Sequence, residues 1–128
     1  MMANKAISTK HAPGAIGPYS QGVKAGNTVY VSGQLGLVPE TGEFAGEDIE
    51  AQTRQSLTNI RNILEAEGYS MNDVVKTTVL LKDIGEFGLM NDIYKDFFCE
   101  PYPARAAFQV AAIPKNGRVE IEAIAYKE

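Results

Sequence analysis

The run Val119-Glu120-Ile121-Glu122-Ala123-Ile124-Ala125-Tyr126 constrains this chain more than any other segment. Read with the two-residue period of a strand, Val119, Ile121, Ala123 and Ala125 lie on one side. Glu120, Glu122, Ile124 and Tyr126 lie on the other. Both faces therefore carry apolar groups, and such a strand needs cover on both sides.

The rest of the chain supplies cover for one side only. Asp48 is positioned as a helix N-cap, and Ile49, Thr53, Leu57, Ile60 and Leu64 then recur at three- and four-residue intervals until Gly68. Glu50, Arg54, Arg61 and Glu65 occupy the opposite face of that helix. A second helix is predicted from about Glu86 to Phe98, with Phe87, Met90, Ile93, Tyr94 and Phe97 as its stripe and Pro101 beyond its end.

Strand signals surround these helices. Thr28 to Ser32 and Val74 to Lys82 are rich in β-branched residues, and Ala25-Gly26-Asn27 predicts a tight turn after a strand at Ser20–Lys24. Asn116-Gly117 predicts a hairpin between Ala106–Ile113 and Arg118–Lys127. The order of elements predicts an α+β single domain over residues 1–128: a mixed sheet with two helices packed on one face. The uncovered face predicts association with another subunit.

Composition narrows the function classes. Cys99 is the only cysteine, so no intrachain disulfide and no thiolate zinc cage is expected. His11 is the only histidine, which disfavours a Ser-His-Asp or Cys-His arrangement. No metal site or cofactor is expected, since neither ligand spacing nor a phosphate-cradling loop is present. A net charge of −4 with scattered cations argues against nucleic acid as a partner. No apolar run is long enough to cross a membrane, and no secretory leader is legible, so a cytoplasmic location is expected.

One cation stands alone. From Pro101 to Pro114 the only charged side chain is Arg105. It reads either as an edge-strand arginine that snorkels to solvent or as a rigid fork for a carboxylate or phosphate. Glu120 and Glu122 share a strand face and read either as solvated acids or as buried carboxylates fitted to pass protons. Tyr19, after the turn-forming Gly17-Pro18, reads equally as a packing ring or a pocket residue.

Six segments stand in an order and spacing that resembles the RidA/YjgF family of reactive-imine deaminases. They are Ile16-Gly17-Pro18-Tyr19-Ser20-Gln21, Val31-Ser32-Gly33-Gln34, Val74 to Val79, Asn91-Asp92-Ile93-Tyr94, Pro103-Ala104-Arg105-Ala106 and Val119 to Ala123. The resemblance covers about Ile7 to Lys127. It implies a chorismate-mutase-like fold, a homotrimer with sheets facing inward and pockets between subunits. It also implies cofactor-free hydrolysis of small 2-imino acids and their enamine tautomers to 2-oxo acids and ammonia.

By the same resemblance Arg105 clamps the substrate carboxylate and Glu120 activates water. Tyr19, Ser32 and Gly33 surround the substrate, with Ser32 as a hydroxyl donor and Gly33 permitting close approach. Phe87 and Asn91 form a pocket wall. Ala107 stands where many members carry cysteine, leaving only its backbone to serve there. Two other readings remain open: a regulatory module that senses small carboxylates, and an endoribonuclease or translation inhibitor.

The expected hairpin strains the pairing of Arg105 with Glu120. A two-residue turn at Asn116-Gly117 sets Ile113 opposite Glu120 and leaves Arg105 about eight rungs away, on the order of 25 Å. Either the strands do not pair in that register or the site combines two chains. The resemblance favours the second.

Overall fold

The computed structural model describes residues 3–128. Six strands form one sheet: β1 Lys5–Ile7, β2 Gly22–Ala25, β3 Thr28–Leu35, β4 Val74–Leu81, β5 Ala104–Gln109 and β6 Val119–Tyr126. Their spatial order is β1-β2-β3-β6-β4-β5. All neighbours are antiparallel except β4 and β5. Two helices, α1 (Ile49–Glu65) and α2 (Phe87–Tyr94), pack on one face, as expected for the α+β class.

Local chemistry explains the boundaries. The Asp48 carboxylate accepts from the Ala51 N–H at 3.0 Å and caps α1. Past Ala66 the chain turns through Gly68 at φ +79°, where a side chain would be strained, and the Tyr69 N–H closes back on the Leu64 carbonyl. Gly26 at φ +61° opens the two-residue loop from β2 to β3, the conformation a type II′ turn requires.

The stripe predicted for α1 is fully inside, but Gln52, Ser56 and Asn59 are buried with it. Ser56 and Asn59 serve the end of β3, while Gln52 bridges the Gly46 carbonyl and the Arg118 N–H. Ser56 Oγ donates to the Gln34 carbonyl, and Asn59 Nδ2 donates to those of Leu35 and Leu37. Burial without such partners would cost about 1–3 kcal/mol per group. In α2 the stripe runs through Met90 and Tyr94 and then to Phe98, whose ring centre lies 4.6 Å from that of Tyr94. Phe97 instead lies between Arg54 and Arg61.

The expected hairpin is corrected. β5 pairs with β4, parallel, and never touches β6 in the ladder. Pro114–Asn116 forms a 3₁₀ turn in which Lys115 (φ +57°) and Asn116 (φ +60°) are left-handed. The physical reason lies in β6 itself. Its inward row of Val119, Ile121, Ala123 and Ala125 is buried beneath the helices only in the slot between β3 and β4, where both of its edges are bonded. The small residues of β5 suit the edge.

Between Val31 and Gln34 of β3 the register slips by one residue against β6, a bulge at Ser32-Gly33. On the face away from the helices, Tyr30, Phe108 and Tyr126 are each about half exposed, at 50%, 47% and 48%. Among the described residues nothing covers that face.

Candidate functional site

Arg105 stands on β5 directly across from Thr77 of β4, and paired residues point the same way. Its guanidinium therefore turns to the helix side, over α2. Nη1 donates to Asn91 Oδ1 at 2.6 Å. The guanidinium carbon lies 4.7 Å from the centre of the Tyr94 ring and 5.2 Å from that of Phe87. Among the described residues no carboxylate lies within ion-pair distance of it. The charge faces a cleft of about 490 Å³ lined by Asn91, Asp92, Tyr94, Lys95, Tyr102 and Pro103. Such a fork, held but not neutralised, suits two-point capture of a small carboxylate.

Beneath it, the Tyr94 hydroxyl lies 2.7 Å from Thr77 Oγ1. Burial raises the phenol's pKa, against the opposing pull of that hydrogen bond and of the Arg105 charge. The ring is neutral and cannot compete as an anion.

Ala107 follows on the same side, opposite Val79, and packs against the core. The Val110 N–H bonds the Leu81 carbonyl at 3.0 Å. By the alternation of a parallel ladder, the backbone groups of Arg105 and Ala107 face the open edge of the sheet. Ala107 thus presents an unpaired amide and carbonyl without needing a side chain.

The second group forms around the bulge. Glu120, opposite Leu35 and Leu80, points away from the helices. A Cβ on Gly33 would come within 3.0 Å of its carboxylate, so the glycine makes room for the acid rather than for a ligand alone. Burial, and secondly the charge of Glu122, push the Glu120 carboxyl above the ordinary glutamate range. It is thereby fitted to exchange protons nearer neutrality.

A cavity of about 780 Å³ opens here, lined by Tyr19, Ser32, Gly33, Leu35, Lys115, Glu120 and Glu122 among others. Tyr19 is exposed at its rim after Gly17 at φ +119°. The Ser32 hydroxyl already donates to the Ser20 carbonyl at 2.6 Å, so its oxygen faces the cavity as an acceptor.

The residues named from sequence thus fall into two clusters. Arg105, Phe87, Asn91 and Ala107 lie on the helix side. Tyr19, Ser32, Gly33 and Glu120 lie on the other. Arg105 and Glu120 are two strands and three rungs apart, on the order of 14 Å between backbones, and the sheet lies between their side chains. One chain does not bring them together.

Sequence reasoning placed Tyr94 in the core stripe and missed its contact with Arg105. The signal was present: Phe87, Asn91 and Tyr94 fall at i, i+4 and i+7, one face of a helix. Among the described residues no group of three or more His, Cys, Asp or Glu is placed to hold a metal ion.

Comparison with known proteins gives the chain a family. A 2-iminobutanoate/2-iminopropanoate deaminase of Bos taurus is 54% identical over 124 residues, spanning 97% of this chain and 90% of the relative. RidA from the Antarctic bacterium Psychrobacter superposes with a TM-score of 0.93 at 54% identity, covering 96% of this chain and 99% of that one. TdcF of E. coli, solved with bound serine, superposes with a TM-score of 0.92 at 46% identity, covering 97% and 99%. The model of the family described as Endoribonuclease L-PSP matches residues 9–127. With the fold, the length and nearly every residue position in correspondence, this chain belongs to that family, the RidA/YjgF family.

Proposed function

We propose that this chain is a 2-iminobutanoate/2-iminopropanoate deaminase, acting in the cytoplasm as a homotrimer whose pockets lie between subunits. Each pocket joins the Arg105 side of one copy to the Glu120 side of the next. The observation that carries the reading is the sidedness of the two clusters: each is half a site. The half-exposed Tyr30, Phe108 and Tyr126 and the open β5 edge give a second copy a surface to cover. The name of the Bos taurus relative gives the substrate class, and the serine held by TdcF is a small amino acid of matching size.

In this pocket Arg105 grips the carboxylate of the 2-imino acid, with Asn91 and the Ala107 backbone beside it. The imine carbon is already electrophilic, so the step needs no cofactor. Glu120 takes a proton from water as its oxygen adds to that carbon. It passes that proton to the former imine nitrogen to give the neutral tetrahedral adduct, then takes the remaining hydroxyl proton as the C=O bond forms and delivers it to nitrogen as the C–N bond breaks, leaving the 2-oxo acid and ammonia. Placement of water and substrate together accounts for acceleration of a reaction that also runs unaided.

A sensing module that only binds carboxylates needs the Arg105 half alone. The raised pKa of Glu120 in the other half favours turnover. The test couples the protein to a dehydratase acting on threonine and follows imine decay. Acceleration by the wild type, lost in Arg105→Ala and in Glu120→Gln, is expected. Retained acceleration in either variant overturns the assignment.

A further inference from the structure

We propose that Tyr94 is the positioning residue for the carboxylate clamp, its ring serving as a platform that Thr77 locks beneath the Arg105 guanidinium. The inference rests on the reading of Arg105 as that clamp.

An arginine on an edge strand is ordinarily a mobile side chain, and ordering it to grip a ligand costs rotamer entropy. Here Thr77 occupies the rung of β4 that faces Arg105 on β5. The fully buried Thr77 hydroxyl holds the Tyr94 hydroxyl at 2.7 Å, and the Tyr94 ring lies under the guanidinium at 4.7 Å. The contacts form a closed circuit: strand pair, threonine, tyrosine, arginine. The ring cannot swing aside without breaking a buried hydrogen bond. Phe87 also touches the guanidinium but has no polar end to anchor it, and Asn91 holds only one nitrogen.

The choice of an aromatic partner has a further consequence. A carboxylate below Arg105 would hold it as firmly but would compete with the substrate for its charge. The ring quadrupole attracts the cation and leaves it unneutralised. Burial keeps the phenol protonated, so the platform stays neutral.

The test measures binding of 2-oxobutanoate by calorimetry, together with KM and kcat in the dehydratase-coupled assay, for Tyr94→Leu, Tyr94→Phe, Thr77→Val and Arg105→Ala. Loss of the ring in Tyr94→Leu is expected to raise Kd and KM by about 5- to 30-fold. Because a ground-state contact is removed, kcat should stay within about twofold. Tyr94→Phe and Thr77→Val each keep the ring and remove its anchor, so both should fall between Tyr94→Leu and the wild type. A Tyr94→Leu protein that binds 2-oxobutanoate as the wild type does, while Arg105→Ala does not, overturns the platform and leaves the clamp standing. Full binding by Arg105→Ala overturns both. Should Tyr94→Leu fail to fold, Thr77→Val decides: unchanged Kd with unchanged Tm overturns the proposal.

Discussion

Arg105 and Glu120 leave one sheet in opposite directions, the first over α2 and the second into the cavity beside the β3 bulge. Every expectation about catalysis by this chain follows from that relation.

Mixing two inactive variants tests it most directly. Arg105→Ala and Glu120→Gln chains, unfolded and refolded together, form pockets that draw arginine from one chain and glutamate from the other. With random mixing in a ring, roughly a quarter of the pockets are intact, so activity should return to about that fraction of the wild type. If each pocket came from one chain, no mixture would show any recovery. Imine decay in the coupled assay distinguishes the two.

The raised pKa of Glu120 sets a pH dependence of stability. The folded chain holds this proton more tightly than the unfolded chain does. Stability is therefore lost as pH climbs from the ordinary glutamate range through the raised value. Glu120→Gln stays neutral throughout. Its Tm should exceed that of the wild type above this window, and the advantage should vanish below it. Thermal melts between about pH 3 and about pH 8 read the difference, and parallel curves would contradict the raised value.

Gly33 is a sharp probe of the acid's placement. Its backbone does not require glycine, yet an added methyl would lie 3.0 Å from the Glu120 carboxylate. Gly33→Ala should leave Tm nearly unchanged while displacing the carboxylate by a fraction of an ångström or more. A shift of that size lowers kcat by about 10- to 100-fold. Melting and coupled-assay kinetics on the same preparation separate the two effects.

A control lies at the cap of α1, a helix that lends no side chain to either cluster. Asp48→Ala removes the acceptor that caps α1 and should cost about 1 kcal/mol of stability. Urea unfolding should show a lower midpoint with unchanged slope, and substrate affinity should not move.

Much of the fold was legible before any coordinates. Helix α1, its Asp48 cap, the Gly26 turn and the two-faced pattern of β6 are local matters, written in spacings of two, three and four residues. The buried Gln52, Ser56 and Asn59 were not legible, since only the carbonyls at the end of β3 and the backbone of Gly46 and Arg118 make those positions suitable for polar groups. The hairpin at Asn116-Gly117 failed for a related reason. A turn signal gives a change of direction, whereas burial of β6 between two partners decides its neighbours.

The candidate site residues came from the sequence, Arg105 and the paired Glu120 and Glu122 from their apolar surroundings and the rest through the family resemblance. Their division between two sides did not. A strand shows a new face at every residue, so the direction of Arg105 depends on its register with Thr77, set by a pairing distant in sequence. Sequence determined which groups are present and the local elements that carry them. Tertiary structure alone decided which side of the sheet each one faces, because strand order and register arise from the packing of the whole core.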